Sequence, residues 1–211
     1  MASRSQKQLN LYWEILPAST NKAADFLSGQ PWIGKSGWYL AGGTALALQV
    51  GHRKSVDLDF FTTQKSFEPN DVVGYFQDNK NWEATVSKQN TIYGTLLGAK
   101  ISFIAYPFFL PQQDFLKYGH INILQSRDIA VMKVVAISQR GKKRDFFDLY
   151  WCAKNLESLE ETIKKLPGQY PSVAHDFHHI LKSLVFFEDA EIAPDPEVNF
   201  DADWKKVKRF F

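Results

Sequence analysis

The apolar positions of this chain change period along its length, and the changes predict its elements. Between Ser5 and Phe26 apolar side chains fall at helical spacing, with Leu9, Tyr12, Trp13 and Leu16 among polar residues, and Pro17 breaks the run into two helices. Gly29 to Gly37 reads as loop. Tyr39 to Ala41 is a short apolar run stopped by Gly42-Gly43, and Thr44 to Val50 is helix-forming and ends at Gly51. From Val56 to Phe61 the alternation Val, Asp, Leu, Asp, Phe has the period of a strand and puts Asp57 and Asp59 on one face. Pro69 to Asn79 has a helix start at Pro69-Asn70-Asp71. Trp82 to Ser87, Ile92 to Leu97 and Ala99 to Tyr106 read as strands, with turns at Gln89-Asn90 and Gly98, so a meander is expected. Ile121 to Leu124 is a further short strand.

From Ser126 the pattern turns helical. Ser126 to Ser138 is a helix expected to be capped by Ser126, with Asp128 in its first turn. Lys143 to Asn155, Ser158 to Leu166 and Ser172 to Phe186 follow as helices, and Pro194 and Pro196 mark a loop before the closing WKKVKRFF. The expected architecture is α+β, a mixed sheet with helices over residues 1 to 125, then a helical region over 126 to 211.

Composition narrows this little. The 211 residues suffice for one domain with a full core, or a domain with a helical extension. The formal charge of +2 is close to neutral, so any basic patch must be local. The one cysteine, Cys152, excludes an internal disulfide, fits a reducing cytoplasm and reads as a buried hydrophobe on a helix. The opening MASRSQKQLNLYWEIL has no long apolar core, so no signal peptide is expected. No run of about 18 apolar residues exists, so no membrane span is expected.

Candidate chemistry lies in two blocks. In the first, Gly42 and Gly43 stand between a strand and a helix N-terminus, where glycines let backbone N–H groups approach a phosphate and Thr44 can cap the helix or donate to it. Alone the pair reads as a tight turn, but Asp57-x-Asp59 on the next strand changes that. Two crowded carboxylates repel unless a cation lies between them, and oxygen ligands suit Mg²⁺ or Mn²⁺. The alternative is a solvent-facing strand whose acids pair with Arg53 or Lys54. His52, Arg53 and Lys54 stand ready either to meet a triphosphate or to keep an aspartate ionised. In the second block, Lys133 interrupts an apolar helix and either snorkels to solvent or points into a site. Asp145 and Asp148 share a helix face, and Arg144 with Asp148 could form a surface pair. HDFHH puts His175 and His179 four apart, without a third ligand at metal spacing. The terminal segment has an apolar face for docking, with lysines opposite.

Together the two blocks resemble a family. GGTALALQVGHRKSVDLDFF is similar to the glycine-pair-then-Asp-x-Asp signature of the nucleotidyltransferase superfamily, whose fold is that of DNA polymerase β. GGTAL with GHRxSxDLDFF, and later MKxxAIxxRGKKRDFFDLY, resembles the AbiEii/AbiGii toxin family over roughly Gly37 to Trp151. The resemblance implies a polymerase-β-like core whose site the helical region completes. It implies an NTP held by Gly42, Gly43, Thr44, Arg53 and Lys133, with Asp57 and Asp59 binding Mg²⁺ or Mn²⁺. A hydroxyl would attack the α-phosphorus and pyrophosphate would leave. Lys133 would neutralise triphosphate charge, and Asp145 or Asp148 would orient it or help activate the nucleophile. On this reading, replacing Lys133 weakens NTP use and spares the fold. The acceptor implied is RNA, often tRNA, and the partner an antitoxin protein. Basic clusters at Lys142 to Arg144 and Lys205 to Arg209 are candidate RNA surfaces. One departure stands out: AKISFIAY offers Ser102 where many such enzymes carry a third carboxylate. Two rivals remain, a protein-modifying phosphotransferase on the same fold and a non-catalytic domain that binds nucleotide or a partner.

Overall fold

A computed structural model of the chain describes residues 10–211. After a short 3-10 turn at Trp13–Ile15 come α1 (Ala18–Ser28), α2 (Pro31–Lys35), β1 (Tyr39–Ala41), α3 (Gly42–Val50), β2 (Leu58–Thr62) and α4 (Pro69–Gly74). The strands β3 (Trp82–Lys88), β4 (Thr91–Leu96), β5 (Ala99–Ala105), β6 (Leu116–Tyr118) and β7 (Ile121–Ile123) follow. The rest is helical: α5 (Ser126–Arg140), α6 (Lys143–Asn155), α7 (Leu159–Lys164), α8 (Leu166–Gln169), α9 (Phe177–Leu184), α10 (Glu188–Glu191) and α11 (Trp204–Phe210).

The seven strands form one mixed sheet in the order β3-β4-β5-β2-β1-β7-β6. β2 runs antiparallel to β1 and parallel to β5, and β3, β4 and β5 form the expected antiparallel meander. The architecture is α+β. On one sheet face Phe60 and Phe103 stack at 5.3 Å, and Phe103 also meets Trp32, Trp38 and Phe76. On the other face Asp59 and Phe61 alternate with the buried Leu58, Phe60 and Thr62, so the period-two pattern of β2 sorts acid from core.

Several expectations shift. The stretch read as loop before β1 contains α2, because Pro31 opens a helical turn and Trp32 and Ile33 bury. α4 stops at Gly74, and tight turns then carry the buried Phe76 onto Trp82, 4.2 Å between ring centroids. The expected helix from Ser172 begins only at Phe177, where Asp176 accepts from the His179 N–H as a true cap. Ser126 is the first helical residue and not the cap, a place taken by Gln125. The expected helix over Ser5 to Leu16 falls partly outside the described residues, and its described end is the 3-10 turn.

Candidate active site

The glycine turn is bare for two separate reasons. Gly42 has a φ of +72°, which favours glycine, and a Cβ there would lie 3.3 Å from Asp59 Oδ2. At Gly43 a Cβ would lie 2.2 Å from Arg53 Nη2, because that guanidinium passes directly beneath the turn. The buried Thr44 hydroxyl bonds Ser55 Oγ at 2.8 Å and donates to the Asp57 carbonyl, pinning the loop that leads into β2. Gly43→Ala is therefore expected to push Arg53 aside and cost about 1–3 kcal/mol of stability, read as a lower denaturation midpoint.

Asp57 sits one residue ahead of β2 and Asp59 within it, and both line one cleft. Ser102 is the register neighbour of Asp59 on β5, and its hydroxyl donates to Asp59 Oδ1 at 2.6 Å. Tyr93 on β4 pairs with Ser102 in turn, so the three form one row across the sheet. Asp57 Oδ2 lies 3.7 Å from Arg144 Nη1. Among the described residues no group of three or more His, Cys, Asp or Glu could hold a metal. Two carboxylates facing a cleft are nevertheless what Mg²⁺ requires when substrate phosphates and water complete its shell, so the donor set fits that ion.

Behind the cleft lies a buried charge network. Asp148, 0 % exposed, accepts from Arg53 Nε at 2.6 Å, Arg53 Nη2 at 2.9 Å and His52 Nε2 at 2.7 Å. An ionised carboxylate only accepts, so His52 carries its proton on Nε2, and burial holds that ring's pKa below the ordinary value despite Asp148. Lys133 Nζ lies 2.6 Å from Asp145 Oδ1 and 2.6 Å from Asp148 Oδ2. Burial alone would raise both aspartates; the cations Arg53 and Lys133 instead hold Asp148 well below the carboxylate range, and Lys133 with Arg140 does the same, less strongly, for Asp145.

These contacts choose among the alternatives the sequence left open and revise some expectations. Lys133 does not snorkel: it is 4 % exposed and reaches the cleft floor from within. Arg144 pairs with Asp57, not Asp148. Arg53 lines the cleft, but its nitrogens are engaged by Asp148 and the Lys54 carbonyl. Asp145 and Asp148 both stand behind Lys133 and outside the cleft lining. Replacing Lys133 therefore touches the fold as well as the site, contrary to the expectation above. His175 and His179 do not converge: their Nε2 atoms meet the Tyr170 and Ser138 carbonyls, and His175 precedes the helix. Trp204 and Val207 bury and Trp204 stacks on Phe147 of α6, so the terminal helix docks as expected. Its Lys206 and Lys208 pair with Asp201 and Glu191, while Lys143 is buried against Asp195.

The cleft itself has a volume of about 460 Å³. Lys100, Arg140, Lys142 and Arg144 join Arg53 and Lys133 around it, facing Asp57 and Asp59. Lys100 and Tyr93 carried no motif in the sequence, and Arg140, though within the second block, carried no role there; the pairing of β4 and β5 with β2, and the turn between α5 and α6, bring them in.

A model of the family described as nucleotidyl transferase AbiEii toxin, type IV toxin–antitoxin system, matches residues 33–92 and 91–211. An uncharacterized protein of Aquifex aeolicus is 38% identical over 182 residues, covering 82% of this chain and 84% of its own. Two solved structures are more distantly similar. MenT4, a nucleotidyltransferase toxin of Mycobacterium tuberculosis, aligns at 16% identity and a TM-score of 0.47, over 71% of this chain and 64% of its own. The Megavirus polyadenylate synthase aligns at 14% identity and a TM-score of 0.44, over 66% of this chain and 32% of its own. At these scores neither structure bears on the assignment.

Proposed function

Because the chain belongs to the AbiEii family of nucleotidyltransferase toxins of type IV toxin–antitoxin systems, we propose that its cleft moves a nucleoside monophosphate from an NTP to an RNA acceptor, with tRNA the expected class. The observation that carries this is the charge layout: two carboxylates face a bare glycine turn at a helix N-terminus inside a ring of six cations. Such a layout suits a chelated polyanion and not a neutral ligand.

Asp57 and Asp59 would hold Mg²⁺ or Mn²⁺, which when bound supplies Lewis-acid neutralisation of phosphate charge. The chain's own residues do the positioning. The Gly42-Gly43 backbone and the Lys133 ammonium cradle the triphosphate, with Arg140, Lys142 and Arg144 at the rim. The acceptor oxygen forms a bond to the α-phosphorus as the bond to the bridging oxygen breaks. That electron pair departs with pyrophosphate, and the hydroxyl proton passes to the Asp59 carboxylate, which Ser102 orients. Asp145 and Asp148 act through Lys133 as positioning residues, since both lie outside the cleft. Residues from Gly42 to Ser102 and from Lys133 to Arg144 line one site, so the two regions work as one catalytic unit. No helix among the described residues is long and apolar enough to cross a membrane, and the buried Cys152 thiol, its pKa raised by burial, suits a reducing cytoplasm. An antitoxin is the expected protein partner.

Incubation with total RNA, Mg²⁺ and NTP labelled at the α- or the γ-phosphate tests the reaction. Label is expected in RNA from the α-position only. Label passing to protein from the γ-position would point to the phosphotransferase instead, and none from either position to a non-catalytic domain.

A further inference from the structure

We propose that a second cleft, opening from the first at Tyr106 and Gln139, holds a nucleobase of the acceptor strand. This rests on the nucleotidyl-transfer reading above and names where that acceptor sits.

The two cavities share Tyr106 and Gln139 as lining residues, so they adjoin and one strand could reach both. The second has a volume of about 390 Å³, within the range of small-ligand sites. Its wall is a row of rings. Tyr106 meets Phe108 at 5.9 Å and 80° and Tyr170 at 6.1 Å and 81°, and Tyr170 meets His175 at 6.3 Å and 84°. Tyr170 is buried and backs the row, while the half-buried Tyr106 and the exposed Phe108 present ring surface to the cleft. Phe108 is 49 % exposed at the mouth, where an apolar ring gains by being covered.

Charge separates the two clefts further. Among the described residues six cations line the first, whereas no lysine or arginine lines the second. Its one carboxylate, Asp176, is already committed to capping α9. Phosphates therefore belong in the first cleft and a base in the second, a division that a single-stranded nucleic acid satisfies by stacking on aromatic side chains. Gln139 stands at the junction with an amide that can pair with a base edge.

The test uses the full chain, a short fluorescein-labelled single-stranded RNA at low salt, and the same RNA with a photoreactive thiouridine at its 3′ end. The crosslink is expected within Tyr106 to Phe108 or Tyr170 to His175. Phe108→Ala is expected to weaken RNA binding about fivefold or more, with NTP affinity and melting temperature unchanged. Val173→Trp, at an exposed position on the rim, is expected to block the cleft with the same result. A crosslink elsewhere, no RNA binding by wild type, or unchanged RNA affinity in both variants while NTP still binds would overturn the proposal. So would loss of antitoxin binding with RNA affinity intact, since the groove would then seat a protein. Failure of wild type to bind NTP at all would instead remove the nucleotidyl-transfer reading itself.

Discussion

Asp59→Asn is expected to lower nucleotidyl transfer by at least about 10²–10³-fold while the protein melts no lower than wild type. The substitution keeps the shape of the side chain, and its amide group can still bond the Ser102 hydroxyl that now lies 2.6 Å from Asp59 Oδ1. What it removes is charge. The bond to Ser102 survives and Asp57 keeps its own partner, Arg144, so the fold loses no paired charge. Stability and activity should therefore move independently, which separates a role in the chemistry from a role in the fold. Label transfer to RNA, together with thermal melting with and without Mg²⁺, reads both. Undiminished transfer would show that Asp59 does not hold the metal; a large drop in melting temperature would show that lost activity reflects unfolding. Because Ser102 donates to Asp59 instead of adding a third carboxylate, the remaining ligand, Asp57, has no nearby acid on β5 to replace its partner.

The front of the site was legible in local sequence signals, whereas the back was named only through the family resemblance. Glycines, the aspartate alternation and the helix-forming run after them are local signals, and they locate Gly42, Gly43, Asp57 and Asp59 within a residue or two of their observed elements. Asp148 shows where such signals end. With Arg144 four residues before it, it has the spacing of an exposed helical pair. Its partners Arg53 and His52 lie 95 and 96 residues away, and only the packing of α3 and α6 brings them to it. Lys133 is similar: helical periodicity marks it as an anomaly but cannot distinguish solvent from a buried carboxylate pair. The second cleft was also out of reach, because Tyr106 falls on the β5–β6 connection and Tyr170 and His175 on the α8–α9 connection, with no shared period. The three-residue β6 is too short to carry an alternation, and its register with β7 supplies what its sequence lacks.

Asp148→Asn is expected to cost about 3–5 kcal/mol. Asparagine fits the space, so the loss is not one of packing. It leaves Arg53 and Lys133 buried with one carboxylate fewer between them, and Lys133 with Asp145 alone. The uncompensated cations, and not the missing bonds, supply most of the cost, because desolvating a charge without its partner exceeds the worth of a well-paired contact. The sign of the pH dependence follows from the direction of the shift. Asp148 titrates in the folded protein well below its ordinary 3.8, so the unfolded chain takes up the proton first as pH falls. Its contribution is fully present above about pH 4 and drains away as pH drops through the folded value. Urea midpoints of wild type and variant are therefore expected to lie far apart at neutral pH and to converge below about pH 4. A gap that persisted undiminished into acid would mean that Asp148 acts through shape and not charge. Activity carries a second signature: with Asp148 lost, Lys133 is drawn toward Asp145, so NTP binding should weaken even under conditions where the variant is fully folded.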